Sequence, residues 1–147
     1  MKALFLLGRL IFGGFFLYSG LHHFQERKSM SQYASAKNVP LPEVAVTATG
    51  ALLVLGGASV LLGIKPKVGT LAIMGFLAGV SPIMHDFWRT EDATRRQNEM
   101  IHFMKNFAML GAAMSLMAMR EPWPVSVPVG QPDRLERIKR FARQMAA

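Results

Sequence analysis

Residues 44–84 read VAVTATGALLVLGGASVLLGI, then KPK, then VGTLAIMGFLAGVSPIM. Two apolar runs, roughly 21 and 17 residues long, are therefore separated only by Lys65-Pro66-Lys67. A helix of ~20 residues at ~1.5 Å per residue spans the ~30 Å hydrocarbon core of a bilayer. Lipid offers no partner for open backbone N–H and C=O groups, so such a run must satisfy them within itself as a helix. The runs are continuously apolar rather than alternating, which argues against barrel strands. The segment predicts two antiparallel membrane helices joined by a tight basic turn.

Working outward, a similar run precedes this pair from about residue 3 to 22, and another follows from about 100 to 119, closed by Arg120-Glu121-Pro122. The expected fold is all-α: a four-transmembrane-helix bundle over residues 1–121, with helices at about 3–22, 44–64, 68–86 and 100–119. Residues 122–147 read as a basic, proline-containing tail. Within it, Leu135, Ile138, Phe141 and Met145 recur at helical spacing after Asp133, a residue suited to an N-cap. That pattern predicts an amphipathic C-terminal helix lying on the membrane surface. Lys2 before an apolar stretch also resembles a signal peptide. Arg9 interrupts the stretch, and its length exceeds a usual signal core, so it reads as a span.

Composition agrees. Of 147 residues, 51% are hydrophobic, which leaves little polar sequence to coat a soluble domain. No cysteine is present, so disulfides, thiolate metal sites and thiol redox chemistry are excluded. The net charge of +8 does not indicate nucleic acid, because the basic residues occupy short loops and the tail. With four spans, Lys2, Lys65, Lys67, Arg120 and the tail cations share one side. Arg27, Lys28, Lys37, Arg89, Arg95 and Arg96 lie on the other. The bias predicts both termini in the cytoplasm. Small residues inside the runs, including the Gly75/Gly79 step, predict close helix packing.

The polar residues within or beside the spans gather at one depth. The first helix ends at Tyr18, His22 and His23, and the third at His85-Asp86. The fourth begins with Glu99, His102, Lys105 and Asn106. All four histidines thus fall at the expected outer face. His102 and Asn106 share a helix face at i and i+4, as do Tyr18 and His22. Ionisable groups in spans are costly and usually face a bundle interior or wet cavity. Tyr18, His22, His85, Asp86, Glu99, His102, Lys105 and Asn106 are therefore the candidate pocket, with Asp86 or Glu99 placed to fix a histidine tautomer. The plainer reading makes Tyr18 and Trp88 interfacial anchors and lets His22, His23 and Lys105 snorkel to the headgroups. Arg9, on the inner half of the first helix, is a separate case with two readings, inward snorkelling or a lipid phosphate.

These residues carry a resemblance to the DoxX family of bacterial membrane proteins. Residues 8–24, GRLIFGGFFLYSGLHHF, resemble its first-helix signature, and residues 33–40, YASAKNVP, the loop that follows. Gly56-Gly57 and Leu61-Leu62-Gly63 resemble the second helix. His85-Asp86-Phe87-Trp88 and residues 100–106 resemble the ends of the third and fourth. The likeness covers about residues 4–115. It implies a four-helix membrane fold and a link to quinone-coupled electron transfer, since the family name comes from a subunit of a thiosulfate:quinone oxidoreductase. Other relatives are tied to redox stress or maturation systems. Many members carry a glutamate in the second helix where this chain has Leu53, so a role needing that carboxylate is not expected here.

Three functions follow as expectations. The first is a quinone-interacting accessory subunit of a membrane redox system, with His85 and His102 as the cofactor-binding donors. No flavin or nicotinamide fingerprint is present, so a partner redox protein would supply electrons. The second is a non-covalent haem or copper site built from histidines. The third is a non-catalytic scaffold or assembly factor. The expected partners are the lipid bilayer and that redox protein, with a homo-oligomer also open.

Overall fold

The computed structural model describes residues 2–127. The expected surface helix at 133–145 lies outside the described residues. Five α-helices are present: α1 (Lys2–Gln25), α2 (Arg27–Ala36), α3 (Pro42–Leu62), α4 (Pro66–Met84) and α5 (Ala93–Met117). A short 3-10 turn over Phe87–Arg89 links α4 to α5, and no strand occurs among the described residues.

Local signals explain the boundaries. Pro42 and Pro66 sit in the first turns of α3 and α4, where a missing N–H costs nothing. α3 ends at Gly63 in the left-handed region (φ 67°), and Lys65 follows at φ 45°. The Ser59 hydroxyl donates to the Ile64 carbonyl at 2.7 Å, tying down the tight turn that the KPK motif predicted. α5 begins seven residues before the expected apolar start. The Asp92 side chain accepts from the Arg95 N–H at 2.7 Å and caps a polar first turn that hydropathy could not reveal. Residues 33–40 resembled a loop, but the first half of that stretch, 33–36, belongs to helix α2.

Three apolar helical stretches are long enough to cross a membrane: α1, α3 and the run from α4 into the 3-10 turn. α5 is not among them, because His102, Lys105 and Asn106 lower the hydropathy of its apolar half. The helices pack in sequence, α1 on α3, α3 on α4 and α4 on α5. α1 and α5 form no contact of comparable extent. The core cluster of Phe16, Leu53, Val60, Ile73, Leu77 and Trp123 lies between them. Leu53 is fully buried in that cluster.

Glycines set the α1–α3 distance. A Cβ at Gly57 would lie 2.5 Å from the Leu17 nitrogen, and one at Gly20 would lie 2.6 Å from the Val54 nitrogen. Both clashes are with backbone, so no side chain can yield. Gly75 and Gly79 behave differently from expectation: a Cβ at either meets nothing within 4 Å. Their small size leaves space rather than enabling contact.

The end carrying the N-terminus is closed by the chain after α5. Arg9, only 2% exposed, donates to the carbonyls of Pro124 and Val125, each at 2.8 Å. Trp123 is buried against the Phe5 ring with centroids 5.5 Å apart. The Val127 N–H donates to the Leu62 carbonyl at 2.9 Å. Arg9 thus neither snorkels nor waits for a lipid phosphate; it ties residues 123–126 onto the bundle. A buried guanidinium stripped of such acceptors is costly.

Gly57→Ala is expected to lower stability by about 1–3 kcal/mol through overpacking at the α1–α3 crossing, whereas Gly75→Ala leaves it within ~0.5 kcal/mol. Unfolding midpoints of the two variants in one detergent check the contrast.

Candidate functional site

α2 crosses the end of the molecule opposite Arg9 and lays two side chains over the helix ends beneath it. The Tyr33 hydroxyl donates to Glu99 Oε1 at 3.2 Å, and the Lys37 ammonium lies 3.7 Å from the same oxygen. Lys37 also donates to Asp86 at 2.5 Å. The other Glu99 oxygen, Oε2, is 2.8 Å from His85 Nδ1. Glu99 is only 7% exposed, so its carboxylate is buried but surrounded by donors from α2 and the end of α4. A buried charge is tolerated on this condition.

This arrangement fixes the histidine. A carboxylate can only accept, so His85 Nδ1–H donates to Glu99, and the other ring nitrogen, Nε2, is left for a further partner. The His102 ring stacks on His85 with centroids 5.1 Å apart and planes 15° from parallel.

The electrostatics of α2 support the network. Burial weakens the Lys37 charge, but the hydrogen bond to Asp86 and the Glu99 carboxylate outweigh it and raise its pKa above the usual lysine value. Burial, then the Glu99 charge, raises the Tyr33 pKa, so its phenol stays protonated and remains a donor.

His85 also borders an open-sided cavity of about 520 Å³ lined by residues from all five helices. Its walls include Phe15, Phe16, Val46, Phe76, Leu77 and Met109. Gly75 and Gly79 line it, which explains the space beside them. Tyr33, His85, Asn106 and His23 supply polar groups to the lining. His23 Nδ1–H donates to the Ser19 carbonyl at 2.7 Å, the normal backbone acceptor one turn earlier. Cavities of ~300–1,000 Å³ with apolar walls and a few convergent polar groups are the usual form of small-molecule sites.

The candidate residues from sequence divide accordingly. His85, Asp86 and Glu99 come together, with His102 stacked behind His85 and Asn106 on the cavity wall. Tyr18 and His22 stand apart: their rings stack at 6.0 Å, Tyr18 is 66% exposed, and neither lines the cavity. Lys105 is exposed and makes no ion pair among the described residues. Sequence reasoning missed Tyr33 and Lys37, which it placed in a loop, and it set His23 aside with the snorkelling residues. The spacing of Tyr33 and Lys37, one helical turn apart after Arg27, was the available signal.

The haem and copper readings gain little from this geometry. Two imidazoles stacked face to face do not aim nitrogens at one iron from opposite sides. Among the described residues, no group of three or more His, Asp or Glu side chains is placed to hold a metal.

Glu99→Ala is expected to cost about 1–3 kcal/mol, because it strands the His85 Nδ1–H, whereas Lys105→Ala is nearly neutral. Thermal unfolding of the two variants separates these outcomes. Lys37 binds its proton more tightly in the fold than in the free chain. Its stabilisation is therefore complete below the free lysine pKa and is lost as pH rises through the higher folded value. The stability gap between wild type and Lys37→Met should hold from about pH 7 to about pH 9 and close only at higher pH.

No curated protein and no solved structure matches this chain. A comparison with known families matches residues 4–86, described as DoxX, which takes in α1 to α4 and the first polar residues after them. Glu99 and His102 on α5 fall beyond the matched stretch. The match covers more than half of the chain, which thus belongs to the DoxX family of helical membrane proteins.

Proposed function

We propose that this protein is a quinone-binding accessory subunit of a membrane redox system, and that the cavity beside His85 holds the quinone ring. The observation that carries the reading is an apolar chamber bordered by a histidine whose tautomer a buried carboxylate fixes. A quinone has the matching shape: an apolar ring and tail with two oxygens that need hydrogen-bond partners. When bound, it supplies two-electron, two-proton chemistry, with electrons exchanged through a partner redox protein. In this reading the bare Nε2 of neutral His85 would accept from a quinol hydroxyl and take its proton, and the resulting imidazolium, stabilised by Glu99, would donate to a quinone oxygen. Tyr33 and Asn106 supply further polar contacts. His102 lies against His85 and acts through it rather than on the ligand.

The same reading makes α5 a fourth crossing. Its 25 residues extend ~37 Å. The bonds from Arg9 to Pro124 and from Val127 to Leu62 return the chain after α5 to the end where α1 starts, as an even number of crossings requires. The Lys/Arg bias then puts both termini in the cytoplasm and His85 near the outer face of the inner membrane. The missing extensive contact between α1 and α5 gives the quinone tail a sideways path into lipid.

Purified protein titrated with decylubiquinol, the reduced form whose hydroxyl can donate to the bare His85 Nε2, tests this. Wild type is expected to bind it. Gly79→Leu, which fills the chamber from open space, and His85→Ala, which removes the polar anchor, should each weaken binding at least about tenfold, or ~1.4 kcal/mol. Absence of binding, or full binding by Gly79→Leu, overturns the proposal.

A further inference from the structure

A second recess lies on the other flank of α2, against the start of α3. It is an open hollow of about 530 Å³ lined by Arg27, Lys28, Gln32 and Ser35 from α2, with Pro42 and Glu43 from α3. Ser31 also lines it and is 6% exposed, yet its hydroxyl has no hydrogen-bond partner. A buried hydroxyl without a partner is unfavourable, and serine inside a helix normally turns back to the carbonyl four residues earlier. Thr47 and Thr49 in α3 do so, but Ser31 does not.

We infer that this recess binds the headgroup of an anionic glycerophospholipid of the phosphatidylglycerol class. Two cations and one carboxylate leave the recess with one net positive charge. Arg27 is engaged by Glu43 at 2.6 Å, while Lys28 makes no ion pair among the described residues. One uncompensated ammonium matches one phosphodiester charge. The Ser31 hydroxyl, which has no partner in the protein, is the donor for a phosphoryl oxygen once its side chain turns into the recess. Gln32, Ser35 and Glu43 are polar partners for a glycerol headgroup, whose hydroxyls both donate and accept.

Position favours a lipid over free phosphate. Pro42 opens a membrane-length apolar helix, so the recess sits at the level where such a helix leaves the hydrocarbon. Beside it in the chain, Leu41 is 73% exposed and Val44 is 61% exposed, offering apolar surface for acyl chains. The same α2 helix carries Tyr33 and Lys37, so a lipid held here would brace the cover of the His85–Glu99 pair.

The test uses the full chain, delipidated in mild detergent and titrated with phosphatidylglycerol, phosphatidylethanolamine or inorganic phosphate. Bound lipid is counted by native mass spectrometry. Phosphatidylglycerol should be retained at least about fivefold more than phosphatidylethanolamine, and phosphate should not displace it. Lys28→Ala, at an exposed position, should abolish that preference. Ser31→Ala gives opposite signs in two measurements: severalfold weaker retention, but unchanged or higher stability without lipid, because the unpartnered hydroxyl is gone. Equal retention of the two lipids, displacement by phosphate, or a Ser31→Ala variant that keeps full retention overturns the inference. Each outcome is independent of quinone binding at the cavity.

Discussion

The polar end of this molecule rests on one buried carboxylate. Glu99 on α5 is reached by Tyr33 and Lys37 from α2 and by His85 at the end of α4. Three separate segments are thereby fixed to one another by polar contacts. Tyr33 and His85, which both line the cavity, are each bonded to Glu99. Paired buried charges often add little net stability compared with well-packed apolar groups, but removing one partner is severe. The network is therefore better understood as a device for position than as a source of folding energy.

The opposite end follows the same logic with a different group. Arg9 is buried, and its guanidinium is satisfied mainly by backbone carbonyls of residues 124 and 125. These carbonyls belong to a stretch with no regular structure, which would otherwise leave them without partners. Cation and carbonyls solve each other's problem. Between the two polar ends lies the apolar middle, where Gly20 and Gly57 bring α1 against α3 while Gly75 and Gly79 hold space open beside α4. The same residue type thus serves contact in one helix pair and vacancy in another.

Much of the helical architecture was legible in sequence because lipid-length apolar runs admit few alternatives. The KPK turn between α3 and α4 and the clustering of His85, Asp86 and Glu99 were readable for the same reason: charge inside such a protein must be grouped. What escaped was set by tertiary partners. α2 carries few apolar residues, so nothing in its hydropathy marked it as a helix covering the site. Arg9 could be seen as costly, but its acceptors lie more than a hundred residues away in a proline-rich stretch that reads as tail. Gly75 and Gly79 have the spacing of a packing motif, and only the surrounding helices show that nothing packs there. His22 and His23 are adjacent and equally plausible in sequence; the rotation of α1 decides that His23 lines the cavity.

His85 donates through Nδ1 to Glu99 and keeps Nε2 for a ligand. Nitrogen-15 spectra of histidine-labelled protein in lipid bilayers read this directly, with the His85 signal assigned by its loss in His85→Asn. A protonated, strongly hydrogen-bonded Nδ1 that disappears in Glu99→Gln is the result the account requires. A bare Nδ1 with the proton on Nε2 would contradict it and would separate the histidine from the carboxylate on which the site depends.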